Sequence, residues 1–173
     1  MKIWNIDPAH SDIAFKVRHL MLSTVRGRFT KFDAKIEASD DSFADAQITF
    51  TAEVASISTE NQMRDDHLRS ADFFDAVQHP NISFVSTKVE RDSEELTVSG
   101  DLTIRETTKP VVLKATLVGI VTGTDGKKVA GFEISGGIDR KNYGLTWNVA
   151  LEAGGVLVGE QVTFEITAEF KEE

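Results

Sequence analysis

Length, composition and charge exclude several classes of protein. The chain has 173 residues, with 19 Lys and Arg against 28 Asp and Glu, a net charge of −9 and no cysteine. Such an acidic chain is not expected to bind nucleic acid, because phosphate contacts require clustered cationic side chains. Without cysteine it has no disulfide, thiolate nucleophile or cysteine-bound metal. We predict one domain over residues 1–173, since this length is typical of a single domain.

The sequence contains no segment suited to membrane insertion. No apolar signal stretch follows Met1, and no apolar run approaches the ~18 residues that a spanning helix requires. We therefore expect no integral membrane segment. We also expect a cytoplasmic location, or a periplasmic one if a signal peptide has been removed.

The first third of the chain predicts strands joined by turns. Apolar and polar residues alternate over 12–18, more weakly over 25–38, and clearly again over 47–54. A period of two is typical of a strand with one apolar face and one polar face. The polar run 39–42 has the composition of a turn.

The next segment does not alternate and predicts a helix. Thr59 and Gln62 have the spacing of a capping box, in which each side chain bonds an amide at the helix start. We predict a helix over 60–69, followed by a short second turn that contains Phe73 and Phe74. A helix inserted among strands often covers one mouth of a barrel.

Alternation resumes in the second half of the chain. The pair Asp125-Gly126 predicts a tight hairpin between two of the strands. The glycine-rich stretch 147–159 is irregular, and we predict a loop or short helix at a barrel mouth. The predicted strands cover 81–89, 96–105, 111–121, 132–139 and 162–171.

Eight strands that are each apolar on one face must close around a shared core. We predict an all-β fold, namely an antiparallel up-and-down β-barrel of about eight strands with a short helical insertion capping one mouth. A closed barrel is favoured because it leaves no exposed sheet edge. A β-sandwich is the alternative.

The interior of such a barrel either is filled by side chains or holds one small ligand. Ala52, Gly100, Gly136 and Ala168 lie on the predicted inner face. These small residues leave volume, which either forms a cavity or is filled by neighbouring Phe rings. The alternation alone leaves both possibilities open.

The polar residues form no recognised catalytic or metal motif. His19 continues the apolar face of the first predicted strand, either as a hydrogen-bonded core residue or as a donor to a polar group at the end of the interior. Arg28 is either a solvated surface charge or a phosphate ligand at the mouth. The charged cluster 64–67 lacks the spacing of a histidine zinc site. We predict no catalytic residue, no metal site and no cofactor.

Four separated groups of residues match one protein family in order and spacing. They are Trp4, Ile6, Asp7, His10, Ser11, Ile13, Phe15, Val17, His19, Arg26, Gly27 and Phe29; Arg64, Asp66, His67, Leu68, Ser70, Asp72, Phe73 and Phe74; the run 100–105 with 108–111; and 138–141, 144–148, 158–160 and Val162. The pattern resembles the YceI-like family of lipid-binding proteins over nearly the whole chain.

The resemblance implies a lipocalin-like barrel with an extended, helix-capped tunnel. It implies a polyisoprenoid, isoprenoid quinone or fatty amide as ligand, a homodimer as in many members, and no catalytic activity. The chain departs from the family pattern at Glu106, where many relatives have Gly, and at Tyr143, where others have Phe or Trp.

We therefore predict non-catalytic transport or storage of a long-chain isoprenoid or acyl lipid inside the tunnel. The predicted tunnel wall comprises Phe15, Val17, Phe29, Phe50, Phe84, Leu102, Phe132, Ile134, Trp147 and Phe164. The predicted head-group residues are His19, Arg28, Arg64 and His67. Two alternatives remain: a lipid-modifying enzyme with His19 or His67 as base, and an interaction module whose barrel is packed solid.

Overall fold

A computed structural model describes residues 1–149, 151 and 157–173 and consists of one antiparallel sheet with a single α-helix. Short 3₁₀ turns cover Pro8–His10, Val54–Ser56 and Arg140–Tyr143. The helix α1 covers Gln62–Arg69. The strands are β1 Lys2–Ile6, β2 Asp12–His19, β3 Ser23–Phe29, β4 Phe32–Ala38, β5 Gln47–Glu53, β6 Ile57–Ser58, β7 Asn81–Asp92, β8 Glu95–Ile104, β9 Thr107–Thr122, β10 Lys128–Asp139 and β11 Val158–Glu172.

The sheet closes into a barrel because β1 pairs with β4 on one side and with β11 on the other. The closed ring contains eight strands in the order β1-β4-β5-β7-β8-β9-β10-β11. The remaining strands, β2, β3 and β6, continue the sheet from β11 beyond the ring. The predicted all-β, up-and-down barrel of eight antiparallel strands with one short helix is confirmed, and the sandwich alternative is wrong.

Three details of the strand prediction are wrong, including the omission of the two-residue strand β6. The strand β1 was not predicted, because Ile3 on its outer face hides the alternation of buried Trp4 and Ile6. The single strand expected over 25–38 is divided into β3 and β4. The division falls at Thr30 and Lys31, whose backbone groups bond Ser56 and Glu53 of the neighbouring segment.

The helix begins two residues later than predicted, and its N-cap is Asn61. The Asn61 side chain accepts a hydrogen bond from the Arg64 amide at 3.0 Å. Thr59 instead bonds the Asp65 carboxylate, through its amide at 2.8 Å and its hydroxyl at 2.6 Å. The predicted capping box of Thr59 and Gln62 is therefore wrong, because the buried Asp65 carboxylate takes up both donors of Thr59.

The two ends of the barrel differ. At one end, which we call the closed end, four aromatic rings contact one another in tilted or edge-on pairs, with the centroids of successive rings 5.1 to 5.9 Å apart. At the other, the α1 end, α1 contacts the segment after β10 through His67 and Trp147, and that segment bonds the tip of the β2–β3 hairpin through Leu157 and Leu20. The rings at the closed end belong to Trp4, Phe43, Phe132 and Phe170.

The irregular stretch predicted over 147–159 lies partly outside the described residues, which omit 150 and 152–156. Its described part has no regular structure before β11 begins at Val158. Within the described chain, the only α-helix is too short and too polar to cross a bilayer.

Candidate functional site

An apolar cavity of about 250 Å³ lies inside the barrel. Of the 37 described residues that line it, 36 are apolar. The lining follows β11 from Val158 to Phe170, which corresponds to about 40 Å of strand. The volume exceeds the ~150 Å³ of an apolar protein cavity known to bind benzene. The cavity is therefore long, narrow and suited to a slender apolar chain. We call it the lumen.

The period of two explains why the lumen is apolar. Alternate residues of each strand point inward, and along β10 and β11 these are Phe132, Ile134, Phe164 and Ile166. Nine of the ten predicted wall residues line the lumen, namely Phe15, Val17, Phe29, Phe50, Phe84, Leu102, Phe132, Ile134 and Phe164. Trp147 lies outside the lining and packs against His67 and Phe73.

Glycines on the inner face provide space for neighbouring side chains to lie against the wall. A Cβ at Gly27 would be 2.9 Å from Cε2 of Phe15 and nearer still to its Cζ. A Cβ at Gly100 would be 2.6 Å from Cε2 of Phe84. Neighbouring Phe rings thus fill the volume that these glycines leave. This was one of the two possibilities that the sequence left open. Because the rings lie along the wall, a lumen remains between them.

The α1 end is the more open end of the lumen. The Phe43, Phe132 and Phe170 side chains at the closed end are buried. Phe29 and Phe74 at the α1 end remain half-buried, with their ring centroids 6.3 Å apart.

Arg140 is the one charged residue among the described residues that line the lumen. It is only 3% exposed, and its guanidinium donates to four backbone carbonyls. The acceptors are Gly159 at 2.8 Å, Leu145 at 2.6 Å, Trp147 at 3.0 Å and Val158 at 3.3 Å. Burial lowers the pKa of the guanidinium from its usual value. Arg140 thus fastens the segment after β10 to the start of β11.

The role of Arg140 was missed from the sequence. It lies in a run of charged residues, Asp139-Arg140-Lys141, which gives no local sign that the middle side chain is buried. The only available signal was its place in the family motif. Its Cζ also lies 5.9 Å from the centre of the Phe73 ring, within reach of a cation–π contact.

None of the four predicted head-group residues lines the lumen. His19 is half-buried at the end of β2, where it pairs with Val158. Arg28 is exposed on the outer face of β3, and its Nε lies 3.5 Å from the Asp12 carboxylate.

Arg64 and His67 hold the helix region together. The Arg64 guanidinium donates to the Thr59 hydroxyl at 2.7 Å and to its carbonyl at 2.9 Å. His67 bonds the Asp72 carboxylate at 2.9 Å and meets the Trp147 ring edge-on, with centroids 4.5 Å apart. The charged cluster 64–67 thus makes local contacts that stabilise the cap over the α1 end.

One group of described residues has side chains close enough to share a cation, but it lies outside the lumen lining. The ligand atoms of Asp7, His10 and Glu169 are within 4.8 Å of one another. The Asp7 carboxylate accepts from the Ala9 amide at 3.0 Å and bonds the His10 imidazole at 2.8 Å. These hydrogen bonds lower the pKa of Asp7 and raise that of His10. The group therefore has a local role as the cap of the first 3₁₀ turn.

The lumen itself offers little for acid–base or nucleophilic chemistry. Among its described lining residues none has a carboxylate, imidazole, hydroxyl or thiol. General acid–base catalysis requires such a group within hydrogen-bonding distance of the reacting atoms. The arrangement is suited to holding an apolar molecule.

Comparisons with known proteins agree with this architecture. The YceI-like domain matches residues 4–170. The UPF0312 protein of Staphylococcus epidermidis is 40% identical over 171 residues, covering 98% of each chain. The crystal structure of the Campylobacter jejuni YceI protein is 35% identical, with a TM-score of 0.76 and 96% of each chain covered.

A more distant structure shares the fold. The polyisoprenoid binding domain from Saccharophagus degradans, implicated in plant cell wall breakdown, superimposes with a TM-score of 0.68. It is 11% identical and covers 98% of each chain, so the similarity is one of fold. The family match over residues 4–170 and the identity to relatives along their whole length show that this chain belongs to the YceI-like domain family.

Proposed function

We propose that the chain binds a long-chain isoprenoid lipid, either a polyisoprenoid or an isoprenoid quinone, in the lumen and transports or stores it without chemical change. The observation that carries the proposal is the lining of the lumen, in which 36 of 37 described residues are apolar. The Saccharophagus degradans domain, which shares the fold, is a polyisoprenoid binding domain and supports this class of ligand.

The driving force is burial of the ligand's hydrocarbon. Each buried CH₂ contributes ~0.8 kcal/mol, so a chain of ~20 carbons gains on the order of 10 kcal/mol before ordering costs are subtracted. A wall of Phe, Ile, Leu and Val requires only that the ligand be apolar and slender. Selectivity then comes from the length of the lumen and from polar groups at its α1 end.

The polar head group is proposed to lie at the α1 end. Arg140 supports this placement, because its buried positive charge forms no ion pair with a described carboxylate. A quinone carbonyl or a phosphate would be favoured there by the charge. His19, Arg28, Arg64 and His67 remain proposed head-group contacts, although none of the four lines the lumen and Arg28 lies on the outer face of β3.

The lumen favours binding over the two alternatives. A barrel packed solid would have no continuous apolar cavity along β11. An enzyme would require a reactive group beside the ligand, and the described lining has none apart from the Arg140 guanidinium. An acyl ligand, the homodimer and the cytoplasmic location remain predictions.

Native mass spectrometry of the purified protein, followed by organic extraction, tests the proposal. We expect a stoichiometric prenyl or quinone species, or uptake of added geranylgeraniol. Ile134→Asp places a carboxylate in the lumen and should abolish uptake, whereas Val118→Asp on the exposed outer face of β9 should not. Circular dichroism would establish that both variants fold. Wild-type protein that carries no lipid and takes up none would refute the proposal.

A further inference from the structure

The β2–β3 hairpin is paired with β11, and its tip lies at the α1 end of the barrel. Its strands lie outside the closed ring of eight. The last pair of the hairpin is His19 with Ser23, so Leu20, Met21 and Leu22 form its tip.

The tip is apolar and exposed. Met21 is 63% exposed and Leu22 is 83% exposed. The Leu20 amide donates to the Leu157 carbonyl at 2.8 Å, and the Leu157 amide donates to the Val149 carbonyl at 2.9 Å. Exposed Val149 therefore lies beside the tip, and together Met21, Leu22 and Val149 form what we call the apolar rim. Clustered exposed apolar side chains of this kind mark interaction surfaces.

The backbone of the tip is also held in an uncommon conformation. Leu20 and Met21 have φ angles of 54° and 60°, in the left-handed region that glycine and asparagine adopt more readily. Two consecutive bulky residues thus occupy positions that favour small or polar ones. Turns favour Gly, Asn, Asp and Ser, so the large apolar side chains at this tip are not explained by the geometry of the turn.

The hairpin is basic in an acidic protein. Residues 13–32 contain Lys16, Arg18, Arg26, Arg28 and Lys31 and no Asp or Glu, whereas the whole chain has a net charge of −9. Cross-strand pairing of Lys16 with Arg26 places these two residues on the same face, and alternation places Arg18 and Arg28 there as well. This is the outer face, because Phe15 and Val17 on the opposite face line the lumen.

Nearby carboxylates neutralise part of this charge. Glu165 pairs with Lys16 at 2.7 Å and also with Arg26. The Arg28 guanidinium lies 3.5 Å from Asp12. Arg18 donates to the Met21 carbonyl at 3.2 Å. Two carboxylates thus contact three of the four cationic side chains, and Glu60, Glu95 and Glu133 line the same outer groove as Arg26 and Arg28. The positive charge that meets no described carboxylate is therefore that of Arg18, beside the tip.

We propose that the β2–β3 hairpin and the apolar rim dock on the surface of an anionic lipid bilayer. The apolar rim would enter the boundary between head groups and acyl chains, while Arg18 beside the tip contacts anionic head groups. The inner face of the same hairpin lines the lumen, so docking brings the open end of the lumen to the membrane. The inference rests on the proposed function, since a bilayer is where a long-chain isoprenoid lipid resides.

A bilayer fits this surface better than a second copy of the chain does. A symmetric contact through the tip would bring the Arg18 side chains of the two copies close together, and like charges repel. An anionic bilayer attracts each Lys and Arg near its surface and also accepts the apolar tip.

Vesicle flotation tests the proposal. The vesicles are made of phosphatidylglycerol and phosphatidylcholine in equal parts, or of phosphatidylcholine alone. Wild-type protein should float with the anionic vesicles and much less with the neutral ones. M21S/L22S should weaken this binding by at least about tenfold. R18Q should weaken it about fivefold, whereas R26Q removes a cation already paired with Glu165 and should weaken it less. The matched control V118S/V121S removes exposed apolar side chains from β9 and should bind as wild type.

The readouts separate this proposal from the proposed function. Uptake of geranylgeraniol from solution should be unchanged in M21S/L22S, whereas its transfer from anionic vesicles should be slowed at least about tenfold. Wild-type protein that takes up the prenol but does not float overturns the docking proposal alone. Wild-type protein that floats but takes up no prenol overturns lipid binding alone. A dimer in light scattering that M21S/L22S dissociates, without flotation of the wild type, would assign the apolar rim to a second copy and overturn docking.

Discussion

Gly27→Ala should narrow the lumen by displacing one aromatic ring. Phe15 and Gly27 are cross-strand partners on β2 and β3, and the Phe15 ring lies directly over the glycine. An alanine Cβ would be 2.9 Å from Cε2 and 3.0 Å from Cε1 of that ring, against ~3.5–4.0 Å for an ordinary carbon contact. The ring must therefore move away from the wall and into the lumen.

The magnitude follows from the displaced ring. An off-rotamer or overpacked aromatic side chain costs about 1–3 kcal/mol, so the free energy of unfolding should fall by about that amount. Lumen volume equal to about two methylenes would be lost, which weakens ligand binding by about 1.5 kcal/mol, or roughly tenfold in Kd. Displacement of a fluorescent apolar probe by geranylgeraniol gives the Kd, and urea unfolding gives the stability.

Two further variants test whether the Phe15 ring rests on Gly27. Phe15→Leu removes the far end of the ring, so G27A/F15L should recover much of the stability that Gly27→Ala alone loses, with a favourable coupling energy between the two sites. Gly119→Ala is the matched control, because a Cβ there meets nothing within 4 Å. If Gly27→Ala binds the prenol and unfolds like the wild type, the Phe15 ring does not rest on Gly27.

Three smaller predictions concern stability. Tyr143→Phe should leave the free energy of unfolding unchanged or raise it by about 1 kcal/mol, because the buried hydroxyl has no hydrogen-bond partner among the described residues; a clear fall in Tm would contradict this. Asn61→Ala should cost about 1 kcal/mol by removing the α1 cap, measured as Tm, with Gln62→Ala as the exposed control. Asp41→Asn should cost at most about 1 kcal/mol at neutral pH, since Asp41 pairs at the surface with Lys2 and Lys128. Those lysines lower the pKa of Asp41, so its contribution is present above the unfolded value of about 3.9 and is lost as the pH falls further. The urea-unfolding curves of this variant and the wild type should converge in acid, and a difference that persists there would contradict the assignment.

Much of the barrel was predictable because a period of two fixes which side of the sheet each residue faces. The five clear stretches of alternation all became strands, and their inward residues line the lumen. The same rule explains the failure at β1, where Ile3 on the outer face masks the pattern. Local turn chemistry also predicted the hairpin at Asp125-Gly126, where Gly126 has a φ of 81°.

The polar part of the site was not predictable, because it depends on contacts between distant segments. Arg140 bonds carbonyls as far as 19 residues away, and no local pattern encodes that. Arg64 and His67 were placed together by the helix, but their partners, Thr59 and Asp72, lie beyond its two ends. The sequence predicted a helix that carries Arg64 and His67 at one mouth of the barrel. The hydrogen bonds by which these side chains stabilise the helix region are visible only in the folded structure.

The sheet consists of a closed ring of eight strands and an extension formed by β2, β3 and β6. Substitutions in the extension can therefore change lipid exchange without changing the stability of the ring. The eight strands of the ring are hydrogen-bonded without a gap, whereas β2, β3 and β6 are attached through β11 on one side. The first two of these strands still contribute Phe15, Val17 and Phe29 to the lumen. Polar substitutions at the hairpin tip should therefore alter exchange of lipid with a membrane while the ring keeps its Tm. A tip variant that unfolds many degrees below the wild type would mean that the hairpin is part of the cooperative core and not an extension of it.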